Sequence, residues 1–300
     1  MDEYVLRTVG LTKAFRSKIA VNSLNLTIKK GEIYGFVGRN GAGKTTAMKI
    51  ILGLQEPDAG VVELFGMPNS DIQRRKIGAL VETPGLYLNY SAYENLKAYS
   101  YLYGGDEAQI ADILSFVGLS DTGNKKAAKF SLGMKQRLGI AIALLGRPEF
   151  LVLDEPVNGL DPEGIKDIRE LILRLNKEYG MTIWISSHLL SELEKLATTF
   201  GIINNGILIE EFTHEELIKR CENKTEFVCN DPQRAAQLIK ENFDIDAATS
   251  ISSVIIPAQG ANSGVIGKML FANDIFVTEI KNTGISFEDY FISRLGEKNA

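Results

Sequence analysis

The stretch that most constrains how this chain can fold is the octet Gly-Arg-Asn-Gly-Ala-Gly-Lys-Thr at residues 38–45. It fits the pattern G-x-x-x-x-G-K-[ST] without a mismatch. Residues 33–37 before it form a short apolar run typical of a buried strand, and a helix is predicted over 44–52. A glycine-rich turn with a solvated lysine would not need a strand before it and a helix after it. The order therefore predicts a phosphate-binding loop in an α/β fold.

Each part of the octet has a physical role in such a loop. The glycines allow tight turns, so that successive N–H groups point towards phosphate oxygens. Lys44 brings a positive charge to the β- and γ-phosphates of a nucleotide, and Thr45 can place its hydroxyl on Mg²⁺. The helix that follows directs its positive end towards the nucleotide. The candidate cofactor-binding residues of this stretch are Gly38, Asn40, Gly41, Gly43, Lys44, Thr45 and Thr46.

Composition narrows the class of protein. The chain has 300 residues, 45% of them apolar, which suits one large domain or two unequal ones. Its net charge of −5, without a basic stripe, argues against a nucleic-acid partner. No apolar run has the length of a membrane span, and the first residues are acidic rather than signal-like. We therefore expect a cytoplasmic protein that reaches the inner face of the membrane only through a partner. Cys221 and Cys229 lack metal-ligand spacing and are expected to be reduced and incidental.

Alternating strands and helices predict a first domain over residues 1–222. Strands are predicted near 24–28, 33–37, 61–64, 77–81, 150–153 and 182–185. Helices are predicted at 44–52, 91–103, 107–116, 131–145 and 162–177, and a capped helix that begins at Thr213 closes the domain. Ser91 and Glu94 form a capping-box start for the helix at 91–103. The pattern predicts a mostly parallel sheet flanked by helices, with a helical insert at about 84–148.

The segment 223–300 predicts a small C-terminal α+β domain. Its strands are predicted near 225–229, 244–247, 251–256 and 275–281, and its helices at 232–242, 261–270 and 286–295. The order β-α-β-β-α-β is ferredoxin-like, with one helix added at the end. A dimerisation or regulatory module and a packing appendage without a ligand both fit this segment.

A second motif lies at 150–155, where four apolar residues precede two carboxylates. Asp154 is placed to hold Mg²⁺ at the tip of a buried strand, as the acidic residue after a hydrophobic strand does in P-loop NTPases. Glu155 adjoins it and is a natural base for the water that attacks the γ-phosphate. A strand that ends in solvated acids is the alternative, and the phosphate-binding loop makes it the weaker one.

A third motif, Lys-Phe-Ser-Leu-Gly-Met-Lys-Gln-Arg at 129–137, resembles the signature of ABC-type ATPases. Asn-Gly-Leu-Asp at 158–161 is similar to the D-loop of that family, and Ser187-His188 to its switch histidine. With these, five motifs occur in order over residues 38–188. The resemblance covers about residues 1–215 and implies a P-loop NTPase of the ABC ATPase type.

The resemblance also implies a head-to-tail dimer of ATPase domains with two ATP molecules between them. Ser131 and Gly133 of one chain would then contact the nucleotide held by the other, and Asp161 would carry information across the dimer. His188 would bind the γ-phosphate, so the candidate catalytic residues are Glu155, His188 and Lys44. Phe15 occupies the position of the aromatic residue that stacks on adenine, although a core phenylalanine is the alternative. His214 lacks such a context and is expected at the surface.

Two positions depart from the usual pattern of the family. Glu82 replaces a glutamine that contacts Mg²⁺ and the attacking water, and a carboxylate can only accept hydrogen bonds when ionised. Glu82 therefore joins Thr45 and Asp154 as a candidate metal ligand and is also expected to couple the site to a membrane partner. Leu132 replaces a glycine of the signature, and we expect its backbone to need a conformation that glycine reaches more freely.

Both departures are similar to the bacitracin-resistance and lantibiotic-immunity branch of ABC ATPases. The resemblance implies an ATP-hydrolysing subunit, with ATP and Mg²⁺ as cofactors, that drives a separate permease for a peptide antibiotic. The ATPase dimer would be a homodimer or a heterodimer. The tyrosine-rich part of the insert, from Glu82 to Tyr103, is the expected docking region, although core packing can also explain its tyrosines. A soluble ABC ATPase acting on nucleic acid or ribosomes is the alternative function, and a regulator with an inactive site is a third.

Overall fold

The computed structural model of the protein describes residues 3–16, 18–103, 106–221, 224–257, 262–282 and 284–296. The chain separates into two compact units, Met1–His214 and Glu215–Ala300. The domain boundary that the sequence places after residue 222 lies outside the described residues. Each unit has its own sheet or sheets and its own apolar core.

A six-stranded sheet forms the centre of the first unit. In spatial order its strands are β10 (Ile207–Thr213), β9 (Thr199–Asn204), β3 (Ile33–Val37), β8 (Thr182–Ser187), β7 (Phe150–Asp154) and β6 (Ile77–Leu80). All neighbours pair in parallel except β10, which is antiparallel to β9. Strands β3, β7 and β8 are buried at every residue, as expected where helices cover both faces of a sheet. The predicted mostly parallel sheet is confirmed, and it brings the carboxyl ends of β3, β8 and β7 side by side.

A separate four-stranded antiparallel sheet was not predicted from the sequence. It contains, in spatial order, β2 (Lys18–Lys29), β1 (Tyr4–Phe15), β4 (Ala59–Leu64) and β5 (Met67–Pro68). The sequence indicated strands near 24–28 and 61–64 but neither their sheet nor β1. Buried and exposed residues alternate along the second half of β2, which is typical of a sheet with one covered face. Strand β1 pairs with β2, the next strand along the chain, and with β4, which lies farther along the chain.

Helices of the first unit lie against the parallel sheet and form the insert. They are α1 (Lys44–Ile51), α2 (Asp71–Arg74), α3 (Ala92–Tyr103), α4 (Glu107–Phe116), α5 (Leu132–Leu144), α6 (Pro162–Tyr179) and α7 (Leu190–Glu194). The capping box predicted at the start of α3 is confirmed, since the Ser91 N–H donates to Glu94 Oε2 at 2.6 Å and the Glu94 N–H donates to Ser91 Oγ at 3.2 Å. Every helix in the described part of the chain is too short or too polar to cross a membrane.

The second unit contains a four-stranded antiparallel sheet. In spatial order its strands are β12 (Ala248–Thr249), β13 (Ser253–Pro257), β11 (Lys224–Cys229) and β14 (Val277–Asn282). Its helices are α8 (His214–Arg220), α9 (Pro232–Phe243), α10 (Ser263–Ala272) and α11 (Phe287–Gly296). From β11 to β14 the elements follow strand–helix–strand–strand–helix–strand. The strand predicted at 244–247 is wrong, because Asp244 caps α9 in a left-handed conformation and the strand begins only at Ala248.

Candidate functional site

The loop between β3 and α1 is shaped by close packing at its glycines. Gly43 has a φ of +112°, and a Cβ there would lie 2.3 Å from the carbonyl oxygen of Ala20. A Cβ at Gly38 would lie 2.7 Å from the carbonyl oxygen of Ile203. Any other residue at these positions would therefore displace β2 or β9. The two neighbouring strands hold the loop in one conformation.

Helix α1 starts directly from this loop. Gly43 is its N-cap residue and offers no side-chain acceptor, and the first turn carries no acidic residue. The first N–H groups of the helix and its positive end therefore suit an anion. Lys44 is the first helical residue and is only 5% exposed, and its Nζ donates to the carbonyl oxygen of Gly38 at 2.6 Å. The ammonium group is thus held against the loop.

The loop forms one wall of a cavity of about 320 Å³. Eight residues predicted from the sequence line it: Phe15, Asn40, Gly41, Gly43, Lys44, Thr45, Thr46 and Glu155. Lys18, Ala20 and Arg39 also line it and were not predicted from the sequence. Gly38 acts through its carbonyl oxygen on Lys44. The lining of N–H groups, lysines and one phenylalanine ring suits a ligand with an anionic part and a flat apolar part.

Phe15 stands at the end of β1 with 44% of its surface exposed, and Asp58 fixes the chain beside it. The Asp58 carboxylate accepts from the Ala14 N–H at 2.7 Å and from Lys13 Nζ at 2.8 Å. The Asp58 N–H in turn donates to the Thr12 carbonyl oxygen at 2.9 Å. The hydrogen bonds from Lys13 and Ala14 lower the pKa of Asp58, so the carboxylate stays charged. Sequence reasoning missed Asp58, because nothing local marks a partner 44 residues away.

Asp154 ends β7 and is held by two hydroxyl groups. Thr45 Oγ1 donates to its Oδ2 at 2.7 Å, and Ser186 Oγ donates to its Oδ1 at 2.5 Å. Asp154 is only 4% exposed, so its polar oxygens need these hydrogen-bond partners. Ser186 also accepts from the Glu155 N–H at 3.0 Å. Ser186 therefore joins both carboxylate residues to β8, and no sequence motif pointed to it.

Glu155 connects Lys44 and His188, the two other predicted catalytic residues. Its Oε1 lies 3.2 Å from Lys44 Nζ, an electrostatic contact without hydrogen-bond geometry. Its Oε2 lies 2.7 Å from His188 Nδ1 and also accepts from the His188 N–H at 3.3 Å. The three side chains thus form one chain of contacts at the ends of β7 and β8 and at the start of α1. A carboxylate beside an imidazole can hold, orient and deprotonate a water molecule.

Glu82 follows β6 in a left-handed conformation with a φ of +62°. Its Oε1 pairs with Lys49 Nζ in α1 at 2.6 Å. Glu82 is not among the residues that line the cavity, whereas Thr45 lines it and contacts Asp154 directly. Of the three candidate metal ligands, the structure therefore joins Thr45 and Asp154 and ties Glu82 to the same helix through Lys49.

Ser131, Gly133 and Asp161 form a second cluster, and none of them lines the cavity. Ser131 is the N-cap of α5, and its Oγ accepts from the Met134 N–H at 3.2 Å. Gly133 packs near Leu160 and Gly164 at the start of α6. Asp161 caps α6, and its Oδ1 accepts from the Gly164 N–H at 3.1 Å. The starts of α5 and α6 thus lie together.

The expected backbone strain at Leu132 is wrong. Leu132 is the first residue of α5, and its φ is not positive. The extended residue is Ser131, whose φ of −61° and ψ of 166° are usual for an N-cap. The leucine therefore costs no backbone strain, and its side chain remains 46% exposed at the start of the helix.

The donor set at Thr45 and Asp154 fits Mg²⁺ better than a softer metal. A hydroxyl and a carboxylate are oxygen donors, and Mg²⁺ is usually held by one or two carboxylates together with water and phosphate oxygens. The described residues contain no cluster of three or more His, Cys, Asp or Glu side chains that could hold a metal by themselves. A cation here would therefore complete its coordination with the oxygens of a bound phosphate.

Comparison with known proteins gives relatives over nearly the whole chain. The family described as ABC transporter matches residues 21–158. The chain is 44% identical over 298 residues to the bacitracin transport ATP-binding protein BcrA of Bacillus licheniformis, covering 97% of each sequence. It is 46% identical over 207 residues to the lantibiotic transport ATP-binding protein SrtF of Streptococcus pyogenes, covering 69% of this chain and 90% of the relative.

Solved structures show the same fold. The ADP conformation of an ATP-binding cassette of an ABC transporter superposes with a TM-score of 0.67 at 27% identity, covering 73% of this chain and 94% of that one. A dimeric ATP-binding cassette in a post-hydrolysis state, bound to ADP and Pi, gives a TM-score of 0.63 at 26% identity. It covers 70% of this chain and 98% of that chain.

Proposed function

The chain is an ATPase that belongs to the ABC transporter ATP-binding proteins, and we propose that it drives a separate membrane permease that exports, or protects the cell from, a peptide antibiotic. The relative named for bacitracin transport matches 97% of this chain, and the relative named for lantibiotic transport matches 69% of it. These names favour transport over a soluble ATPase that acts on nucleic acid or ribosomes, the other class that the sequence leaves open. The protein would then sit at the cytoplasmic face of the membrane, bound to the permease.

The cavity beside α1 would hold ATP. The adenine would stack on the exposed ring of Phe15, and the phosphates would lie against the N–H groups of the loop. Lys18, which lies near Gly41, and Arg39 add further positive charge to the lining. Asp58 keeps the end of β1 in place, so that the ring is positioned before the nucleotide arrives.

Thr45 and Asp154 would hold Mg²⁺ with the help of Ser186. Bound there, the ion would neutralise charge on the β- and γ-phosphate oxygens. The hydroxyl groups of Thr45 and Ser186 donate hydrogen bonds to the Asp154 carboxylate and would keep it fixed for the ion.

Glu155 would act as the general base for hydrolysis. Lys44 contacts Glu155 Oε1 at 3.2 Å, and a phosphate group in the loop would compete for that ammonium group. Binding of the phosphate would leave Glu155 Oε1 free to accept a proton from water, while His188 Nδ1 stays 2.7 Å from Glu155 Oε2. Glu155 would thus be oriented by His188 and released by the substrate.

The second cluster suggests that two ATPase chains act together. Ser131, Gly133 and Asp161 do not line the cavity of their own chain, so they would contact a nucleotide only on another chain. The start of α5 has no acidic residue in its first turn and therefore suits the γ-phosphate. The dimeric cassette among the similar structures supports this arrangement for the present chain.

The permease would dock on the insert beside Glu82. Several large side chains of this region are exposed, which suits a partner surface: Tyr87, Leu88, Tyr90, Tyr101, Leu102 and Tyr103. Tyr87 packs against Tyr90 and Tyr99 at ring distances of 5.3 and 5.7 Å, so part of the set also serves local packing. The Glu82–Lys49 pair connects this region to α1 and would carry the state of the nucleotide site to the permease.

The observation that carries the proposal is the contact chain from Lys44 through Glu155 to His188 at the loop cavity. The test is ATP hydrolysis by the purified protein with its permease in vesicles, together with bacitracin sensitivity of cells that express both. Glu155→Gln should lower the ATPase rate by at least about 100-fold, since it removes the general base, and should abolish resistance while ATP still binds.

Glu178→Gln is the matched control, because Glu178 is half-exposed and, among the described residues, pairs only with Arg174 at 3.4 Å. It should leave the rate and resistance unchanged. Wild-type hydrolysis in Glu155→Gln would refute the assigned base. Hydrolysis without any change in antibiotic sensitivity would refute the substrate class and leave the ATPase assignment intact.

A further inference from the structure

Strand β14 is the edge of the C-terminal sheet. It pairs antiparallel with β11 on one side, and no strand of the described residues pairs with its other side. Residues 278–282 are exposed along its length. The backbone N–H and C=O groups of such an edge are available for pairing with another strand.

The side chains of β14 carry opposite charges at symmetric positions. Glu279 and Lys281 lie on one face of the strand, and their side chains pair at 2.8 Å. Ile280 stands between them on the opposite face, where its Cδ1 approaches α10 near Gly267. Thr278 and Asn282, both uncharged, complete the exposed stretch. Ile280 therefore has one charged residue on each side, negative before it and positive after it, and each charged residue is followed outwards by an uncharged polar one.

Charge complementarity favours one register for pairing β14 with a second β14. Two antiparallel copies centred on Ile280 place Glu279 of each chain opposite Lys281 of the other. Centring the pair on Glu279 or on Lys281 would instead place like charges directly opposite each other, which is destabilising. Centring it between two residues would turn one strand over, so that the face of one sheet that carries α10 would lie beside the opposite face of the other sheet.

We propose that β14 pairs with β14 of a second copy of this chain, antiparallel and centred on Ile280, to join two four-stranded sheets into one. The contact goes beyond the ATPase dimer proposed above, because it lies in the C-terminal unit and needs no nucleotide. It holds two ATPase chains near each other in every nucleotide state, which raises the effective concentration for closure on ATP.

Apolar side chains along the same edge would be covered by this contact. Phe271 and Phe276 pack edge to face at 5.9 Å, and they are 68% and 55% exposed. Ile280 is 48% exposed on the same helix-covered side of the sheet. An exposed apolar margin beside an unpaired strand is a recurrent feature of sheets that associate through their edges.

A lysine on an edge strand can also protect that edge from association, and β14 has an irregular register at Thr278 that would assist this. In β14, however, the charge of Lys281 is already matched by Glu279, and Glu226 of β11 lies opposite Lys281 in the sheet. A protective role predicts no association between copies, so the experiment separates the two readings.

Cysteine crosslinking of the full-length protein without nucleotide tests the register. In a Cys221→Ser background, Ile280→Cys should form a disulfide-linked dimer on mild oxidation, because residue 280 faces itself across the two-fold axis. Glu279→Cys and Lys281→Cys should each stay monomeric alone and should crosslink when mixed. Circular dichroism checks that each variant is folded, and the mixed pair tests the contact without altering Ile280. Equal crosslinking of all three single variants, or none in any mixture, would overturn the proposal.

Charge reversal gives a second and independent readout. Lys281→Glu or Glu279→Lys places like charges opposite each other twice, and should slow the crosslinking of Ile280→Cys by about tenfold or more. The double reversal restores opposite pairs and should restore the rate. Failure of the double variant to recover would overturn the proposal. ATP-dependent dimerisation of Glu155→Gln, measured by sedimentation in the same series, reports separately on the ATPase dimer.

Discussion

Replacing Ser186 by alanine isolates the link that holds both carboxylates of the site. The Ser186 hydroxyl donates to Asp154 Oδ1 and accepts from the Glu155 N–H, and Ser186 is fully buried. A hydrogen bond to a charged group contributes about 1.5–3 kcal/mol, so Ser186→Ala should lower the free energy of unfolding by about that amount. Of its hydrogen-bond donors among the described residues, Asp154 would keep only Thr45. Residues that orient a metal ligand typically contribute about 10-fold or more to metal affinity, so we expect a loss of that order if Asp154 holds Mg²⁺ as proposed.

The assay is urea unfolding together with the Mg²⁺ concentration that half-saturates binding of a fluorescent ATP analogue, a readout independent of turnover. Ser187→Ala is the matched control, because Ser187 is the next residue of β8 and is also buried, and within the described part of the chain its Oγ accepts only from the Leu189 N–H at 2.9 Å. A neutral hydrogen bond of this kind contributes about 0.5–1.5 kcal/mol. If the two variants lose equal stability and both keep the wild-type Mg²⁺ requirement, the role given to Ser186 is refuted.

Phe15→Ala should weaken ATP binding by about 1–3 kcal/mol, the stacking energy of a base on an aromatic ring, and leave inorganic triphosphate binding unchanged in calorimetry. An equal loss for both ligands would contradict adenine stacking. Lys126 and the Ser91 N–H lower the pKa of Glu94 from its usual 4.5 to about 2, so its stabilising effect is present above pH 4.5 and is lost as pH falls towards about 2. Glu94→Gln should therefore flatten the dependence of thermal unfolding on pH in that window, and an unchanged slope would contradict the assignment. Glu155→Gly should have a free energy of unfolding about 1 kcal/mol higher than that of Glu155→Ala, because residue 155 has a φ of +50° that glycine adopts without strain. Its urea midpoint should therefore be higher. Equal midpoints for the two variants would show that the backbone there is relaxed.

The parts of the site that are continuous in the chain could be predicted from the sequence. Residues 38–46 form the loop after β3 and the start of α1, and the spacing of their glycines and of Lys44 is visible in the sequence, although packing on β2 and β9 completes the geometry. The carboxylates at 154 and 155 were also predictable, because four apolar residues before them require a buried strand. The residue types and their order were enough to place these groups at one edge of the sheet.

The rest of the site depends on which strands become neighbours. Ser186 reaches Asp154 because β8 lies beside β7, and Asp58 reaches Ala14 because β4 pairs with β1. A single serine or aspartate carries no signal of such pairing, and β1 itself was not predicted. The prediction of backbone strain at Leu132 was wrong for a different reason. It was based on the glycine usual at this position in the family, whereas Leu132 lies in the first turn of α5, where an ordinary residue fits without strain.

The backbone is strained just after two neighbouring strands, β6 and β7, at Glu82 and Glu155. Glu155 after β7 and Glu82 after β6 both adopt left-handed conformations, with φ of +50° and +62°. Glycine or asparagine would suit that backbone better, so local backbone preference does not explain a glutamate at either position. At Glu155 the cost is offset by two acceptors from one residue, since its N–H lies 3.1 Å from the carbonyl oxygen and 3.0 Å from the hydroxyl of Ser186. Ser186 therefore contacts both the proposed metal ligand Asp154 and the proposed base Glu155, so we expect the stability of the site and its chemistry to depend on the same side chain.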